Sequence, residues 1–296
     1  LNLTDVDGNV VILYAVWEAS YVSSFTVSNM YTNAYISMKW TPILKSNRFR
    51  VRIEHDSNAQ SDALVSGWID PNTTSEFTYN SSHASKLLVP ESWAKYVGSS
   101  GYINATVYLY TYDSNSTQIG RYGKTFKIYP STSGKPTINS VTLSPVNAVT
   151  TFGNVYLANY SQVKAVVSAS TSTSGVTISK YSITIGTATN SGTSSTISVV
   201  PTIYGSSVPV TIQVTDSAGR VSEYTQNITI YEYFTPTISS LGINYDDSTG
   251  YNVVSFKYSV ASVNNINIPK VCIKRRTAGA SSYSEIYNAN MFSSGD

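Results

Sequence analysis

The sequence predicts an all-β protein, with tandem immunoglobulin-like or fibronectin-like β-sandwich domains in an elongated chain. Three observations carry this expectation. The segment Lys135-Pro136-Thr137-Ile138-Asn139-Ser140 recurs as Thr235-Pro236-Thr237-Ile238-Ser239-Ser240, and each copy follows a run ending in Ile-Tyr, at Ile128-Tyr129 and Ile230-Tyr231. The copies stand about 100 residues apart, the size of one immunoglobulin-like sandwich. Apolar and polar residues alternate at period two through several stretches, the signature of half-buried strands. Finally, 24 Tyr stand against 8 Phe, a bias that suits pleated, half-buried surfaces.

These signals divide the chain into four parts. Residues 1–19 read as the end of a preceding β-repeat module, with a turn at Asp5-Val6-Asp7-Gly8-Asn9 and an apolar β-rich run from Val10 to Trp17. Residues 20–133 read as a β-sandwich with one short helix. Its strands include Ser24 to Ser28, Tyr35 to Trp40 and Arg48 to Glu54, the last with Phe49, Val51 and Ile53 on one face and three arginines on the other. Trp68-Ile69-Asp70-Pro71-Asn72 reads as a strand ending in a turn. Val89 to Val97 is the helix, with Pro90 at its start and Trp93 and Val97 four apart. Tyr102 to Tyr112 then alternates cleanly, Asp113-Ser114-Asn115-Ser116 turns, and Gly123 to Tyr129 returns.

Ser131 to Pro136 is a short polar linker. Residues 135–233 read as an immunoglobulin-like sandwich of seven strands: Ser140 to Leu143, Val155 to Leu157, Val163 to Ser168, Ile178 to Ile185, Thr196 to Val200, Val208 to Thr215 and Ser222 to Ile230. Asp216 reads as a turn former. Residues 235–296 read as the incomplete start of a third β domain, with strands from Ser239 to Asn244, Val253 to Val260 and Lys270 to Arg276. The chain opens mid-pattern at Leu1 and stops abruptly at Asp296, so it reads as a fragment of a longer protein.

Composition narrows the function. Charged residues make up 12% of the chain and the net charge is +2, so nothing steers it to nucleic acid or to an acidic membrane. No apolar stretch approaches the ~18 residues of a membrane span. One cysteine, Cys272, excludes a disulfide framework and any cysteine-based zinc site; its Val-Cys-Ile context reads as a small buried hydrophobe. The two histidines, His55 and His83, sit in polar sequence. No Gly-x-Ser-x-Gly elbow is present, and His55 and Asp56, adjacent on a strand, point to opposite faces. Asp246-Asp247 and the Asp5/Asp7 pair fall in turns, not on a cleft floor, so two facing carboxylates for glycoside hydrolysis are not evident. The expectation is a protein that is not an enzyme, with no catalytic residue, cofactor or metal.

Aromatic residues supply the candidate contact sites. The four Trp stand at 17, 40, 68 and 93. Trp40, in a clean alternating strand, reads as a core anchor. Trp68 and Trp93 read either as core anchors or as a platform for sugars. Tyr108, Tyr110 and Tyr112 form an outward row, either a binding strip or cross-strand cover for the sheet. The candidate glycan or partner contacts are therefore Trp68, Trp93, Tyr108, Tyr110 and Tyr112.

Lys39-Trp40-Thr41-Pro42, Arg48-Phe49-Arg50-Val51, Trp68 to Ser75, Val89-Pro90 and Val107 to Thr111-Tyr112, leading to Gln118-Ile119-Gly120, together resemble a module of siphophage minor structural proteins of Gram-positive hosts. In that family a Ser/Gly/Pro linker opens an immunoglobulin-like module. Lys135 to Ile138, Val141 to Pro145, Phe152 to Tyr156, Ser179 to Ser182 and Val214 to Arg220 resemble its landmarks. The likeness covers about residues 20–260. Ile12 to Trp17 is also similar to the end of a bacterial surface repeat closing Leu-Tyr-Ala-x-Trp. The resemblance implies a tail-appendage protein for receptor binding or adhesion, in the tail tip, tail fibre or neck of the virion. It implies partners among other virion structural subunits, a homo-oligomer, and host cell-wall polysaccharide, with no nucleic acid and no membrane insertion. Two alternatives stand beside it: a bacterial cell-surface adhesin or stalk built of immunoglobulin-like repeats, and a carbohydrate-binding accessory region of a larger wall-active enzyme.

Overall fold

The computed structural model describes residues 3–4, 10–11, 21–56, 60–146, 152–268 and 270–290. Leu3–Thr4 (β1) pairs antiparallel with Val10–Val11 (β2). The rest of residues 1–19, including the expected turn at Asp5 to Asn9 and the run to Trp17, lies outside the described residues. The chain divides between Ser133 and Gly134 into two compact units.

The first unit contains Val22–Val27 (β3), Met30–Tyr31 (β4), Met38–Pro42 (β5), Arg48–His55 (β6), Leu64–Val65 (β7), Phe77–Tyr79 (β8), Ile103–Tyr112 (β9) and Gln118–Tyr129 (β10). They form a three-stranded sheet, β3-β5-β8, and a five-stranded sheet, β4-β10-β9-β6-β7. Every pairing is antiparallel except that of β4 with β10, where Met30 faces Ile128 and Tyr31 faces Tyr129. The period of two decides what is buried. In β6 the inward residues Phe49, Val51 and Ile53 are wholly buried, and in β9 Ile103, Ala105, Val107 and Leu109 join them. Trp40 on β5 closes the sandwich from the three-stranded side. Its ring is fully buried, 5.4 Å from Phe49 of the opposing sheet and 4.9 Å from Phe77, distances typical of tilted aromatic packing.

The second unit repeats this plan. Its first eight strands are Thr137–Val146 (β11), Tyr156–Leu157 (β12), Gln162–Ser170 (β13), Ile178–Ile185 (β14), Ala188–Gly192 (β15), Thr196–Val199 (β16), Gly205–Asp216 (β17) and Val221–Tyr231 (β18). They give the sheets β11-β13-β16 and β12-β18-β17-β14-β15. Each strand holds the place of its counterpart eight positions earlier. Here too the short strand, β12, pairs parallel with the last, Tyr156 facing Ile230 and Leu157 facing Tyr231. Three strands facing five around an alternating core is an immunoglobulin-like arrangement. Ile183, Ile185, Val210, Ile212 and Val214 fill this second core. The two Ile-Tyr dipeptides thus end the last strand of each sandwich, and the recurring Pro-Thr-Ile segments begin the strand that follows.

That following strand after β18 is Thr237–Asp246 (β19), paired with Tyr251–Ser259 (β20); Lys270–Arg275 (β21) pairs with Ser284–Asn290 (β22). The described residues from 235 onward belong to the same unit as β11 to β18. Ala261 and Val263 share an apolar cluster with Phe152 and Leu157, against which Tyr160, Tyr231 and Tyr233 pack.

Four local expectations are corrected. The expected helix at Val89 to Val97 is a 3-10 helix over Glu91–Tyr96; Trp93 and Ala94 both turn inward, and the tighter turn replaces the i, i+4 stripe. Trp68 to Asn72 forms no strand beyond one bridge, Phe49 to Ile69. Cys272 is exposed, because the inward positions of β21 are Val271 and Ile273; its thiol lies 3.0 Å from a Glu285 carboxylate oxygen, and that hydrogen bond raises its pKa. The seven strands expected in residues 135–233 are joined by an eighth, β15, whose Ala-Thr-Asn-Ser-Gly sequence looks like a turn and is held as a strand only by its pairing with β14.

Asp216, read as a turn former, is one. Its Oδ1 accepts the N–H groups of Ala218 and Arg220, and Gly219 turns with φ +81°, where a side chain would be strained. Its Oδ2 accepts Arg220 Nε at 2.8 Å, and Arg220 Nη2 donates to Thr173. Both partners are buried, at 1% and 5% exposure. Asp216→Ala leaves the guanidinium buried without its counter-charge, and chemical denaturation is expected to show a loss of about 3–5 kcal/mol.

Candidate functional site

The alternation that buries Phe49, Val51 and Ile53 sends Arg48, Arg50 and Arg52 out of the same strand. The pairing of β6 with β9 sets Arg48 opposite Tyr112, Arg50 opposite Tyr110 and Arg52 opposite Tyr108. On the other side of β9, the β10 pairing sets Arg121 opposite Tyr110 and Gly123 opposite Tyr108. Directly opposed residues share a face, so a lattice of Arg and Tyr covers the outside of the five-stranded sheet, centred on β9.

Trp68 organises one end of it. The guanidinium carbons of Arg48 and Arg50 each lie 4.3 Å from its ring centroid, and Tyr112 meets it edge-on at 4.9 Å. Arg48 also grips Asp70 with two hydrogen bonds, 2.7 Å from Nε and 3.2 Å from Nη2. Arg52 pairs with Glu54 at 2.5 Å. At the other end Arg121 lies 5.0 Å over Tyr108, which stands 6.3 Å from Tyr110. Gly123 makes room for this: a Cβ there would come within 3.1 Å of the Tyr108 ring. Arg50 and Arg121 form no ion pair among the described residues. Arg50 Nε is buried without an acceptor there.

Of the residues expected as contacts, Tyr108, Tyr110 and Tyr112 are half-buried on this face, and Trp68 is half-buried beside them. Trp68 is not an open platform, however, because two guanidiniums cover it. Trp93 is corrected outright. It is 1% exposed and part of the core, carried inward by the 3-10 helix, which is the core-anchor reading and not the platform. The arginines on this face were legible as a polar side of β6 but not as ring-stacked groups, since that depends on Trp68 arriving from a distant loop.

Trp93 belongs to a second cluster. His55, expected in polar surroundings, has a fully buried side chain, stacked on Tyr96 at 4.1 Å and edge-on to Trp93 at 4.6 Å. Its Nε2 lies 3.0 Å from Asp62 Oδ1, and Tyr96 donates to Asp62 Oδ2 at 2.9 Å. Burial pushes the Asp62 carboxyl up, but the Tyr96 and His55 hydrogen bonds and the His55 charge outweigh it and hold the carboxyl below its ordinary value. Sealed behind Trp93 and Tyr96, His55 ties the 3-10 turn Gln60–Asp62 to the sandwich. Asp56, its sequence neighbour, is exposed. Among the described residues no three His, Cys, Asp or Glu side chains converge as a metal site. No helix there is long and apolar enough to cross a membrane.

Residues 25–279 match the model of a family described as "Siphovirus protein of unknown function (DUF859)". The chain belongs to this family. The siphovirus family thus spans both units. No curated protein matches the chain. Similar solved structures include the fibronectin(III)-like modules of CbhA from Clostridium thermocellum, at 12% identity over 71% of this chain and 95% of that one, TM-score 0.31. Red sea bream transglutaminase is similar at 5% identity over 72% of this chain and 32% of its own, TM-score 0.29. The three N-terminal domains of the bacteriophage RB49 highly immunogenic outer capsid protein (Hoc) are similar at 12% identity over 90% and 80%, TM-score 0.24.

Two measurements check the geometry. Trp93→Ala is expected to cost about 3–5 kcal/mol as a core truncation, against on the order of 1 kcal/mol for Tyr110→Ala on the outer face, both by denaturant titration. The Asp62 contribution has a defined sign: its native pKa is depressed, so the unfolded chain binds the proton more readily. The stability gap between wild type and Asp62→Asn is therefore full above the ordinary carboxylate value of 3.8 and shrinks as pH falls from there through the lowered native value.

Proposed function

We propose that this siphovirus protein is a non-enzymatic structural and adhesion component of the virion, set in the tail fibre, tail tip or neck. In this reading its sandwiches present contact surfaces to the wall of a Gram-positive host, and several copies assemble with one another and with other virion subunits. Membership of a siphovirus family across residues 25–279 supports it, and the repeated three-against-five sandwich suits a spacer with usable outer faces. The outward lattice of Tyr108, Tyr110, Tyr112, Arg50 and Arg121 is the surface assigned to the wall polysaccharide. Tyr offers a rigid body and a polar tip at low entropic cost, and repeated weak contacts on several copies multiply into useful avidity, by ~10²–10⁴.

Antibody against the chain, carried on gold particles, is expected to label intact phage at the tail or neck under the electron microscope. Label confined to the head, or absent from washed particles, overturns the placement. Purified chain is expected to release no reducing sugar from host walls; release in proportion to added protein overturns the non-enzymatic reading.

A further inference from the structure

We propose that the outer face of the β10-β9-β6 ladder binds an anionic glycan, a carbohydrate polymer whose repeating unit carries a phosphate or carboxylate, with Arg50 and Arg121 as its oxyanion contacts. The inference rests on the wall-contacting reading above and gives that surface its ligand chemistry.

A neutral sugar is usually held by an open aromatic ring, but the largest ring here is closed. Trp68 has two guanidiniums against it at 4.3 Å and Tyr112 at its edge, and Tyr108 lies under Arg121 and across Gly123. The rings serve the arginines: contact with Trp68 or Tyr108 restrains the forks of Arg48, Arg50 and Arg121 and reduces the freedom each loses on meeting an anion. Two of the four guanidiniums are already neutralised, Arg48 by Asp70 and Arg52 by Glu54. Arg50 and Arg121 are not paired among the described residues, and they flank Tyr110 on its two neighbouring strands. Their Cα atoms are two strand spacings apart, ~10 Å, so a polymer that repeats its charge can meet both.

Other anionic partners fit less well. Single-stranded nucleic acid binds by stacking bases on free ring faces, and here guanidiniums lie over two of the rings, Trp68 and Tyr108. An acidic peptide docks by adding to a sheet edge or filling an apolar groove, whereas β9 is the central strand of five. Polymer hydroxyls, in contrast, match the phenol groups of Tyr110 and Tyr112, which make no hydrogen bond among the described residues. Guanidinium forks match carboxylate and phosphate oxygens alike.

The test uses the whole 296-residue chain and four probes in calorimetry or affinity electrophoresis: a poly(glycerol phosphate), polygalacturonate, a neutral soluble glucan and oligothymidylate. The expected result is binding of the phosphate polymer, the uronate polymer or both, the stronger naming the oxyanion, and weakening as salt rises. Arg50→Gln and Arg121→Gln are each expected to weaken it about tenfold, and the double variant about a hundredfold. Arg121 is exposed, so its variant keeps the test open even where Arg50→Gln disturbs the Trp68 stack; thermal melting reports which variants remain folded. Equal binding of the neutral glucan overturns the anionic assignment and leaves wall contact standing. Tighter oligothymidylate binding, or unchanged affinity in folded Arg121→Gln, overturns it too. Failure of all four probes overturns the ligand assignment, while the gold-labelling experiment judges the virion role separately.

Discussion

The two-residue period of strands β6 and β9 is the constraint from which the first unit follows. One phase of it puts Phe49, Val51, Ile53, Val107 and Leu109 in the core; the other phase necessarily sets Arg48, Arg50, Arg52, Tyr108, Tyr110 and Tyr112 outside. A slip of one residue exchanges the two faces, burying three guanidiniums and exposing the core. The cost of burying unpaired charge therefore secures the register, and the register in turn places each arginine beside its tyrosine. Core and Arg-Tyr face are two sides of one pattern.

The immunoglobulin-like plan was readable because its signals are local. Alternation located β6, β9, β14 and β17, and the Pro-Thr-Ile recurrence marked where one sandwich ends and the next strand starts. What escaped was nonlocal. β15 looks like a turn and exists only through β14. Glu91–Tyr96 carries helix-forming residues, but six residues behind Pro90 are too few for an α-helical stripe, and packing pulls Trp93 inward. Asp62, not Asp56, meets His55, because the strand sends neighbours to opposite sides while a short 3-10 turn brings Asp62 back. The same limitation explains the candidate site. The Tyr row was visible from its spacing, yet the covering of Trp68 by Arg48 and Arg50 depends on a loop that sequence spacing does not locate.

That covering changes the chemistry of the face. An exposed indole invites anything flat; an indole with two guanidiniums against its ring presents their N–H donors instead. Because Asp70 and Glu54 each neutralise a neighbour, the remaining charge is concentrated at Arg50 and Arg121 instead of spread across the sheet. A chain whose net charge is only +2 thus keeps a locally cationic surface.

The parallel pairing of the short strands β4 and β12 with the ends of β10 and β18 has a consequence for crowding. The last strand of a sandwich would otherwise offer unsatisfied backbone groups to any passing chain. In the first unit, Met30–Tyr31 occupies the tip of that edge, Asn29 Oδ1 accepts the Lys127 N–H at 2.8 Å, and Arg121, Lys124 and Lys127 stud the same strand. A margin fitted with plugs and like charges discourages amyloid-style stacking. That strand then offers side chains, not open backbone, along this stretch of its margin.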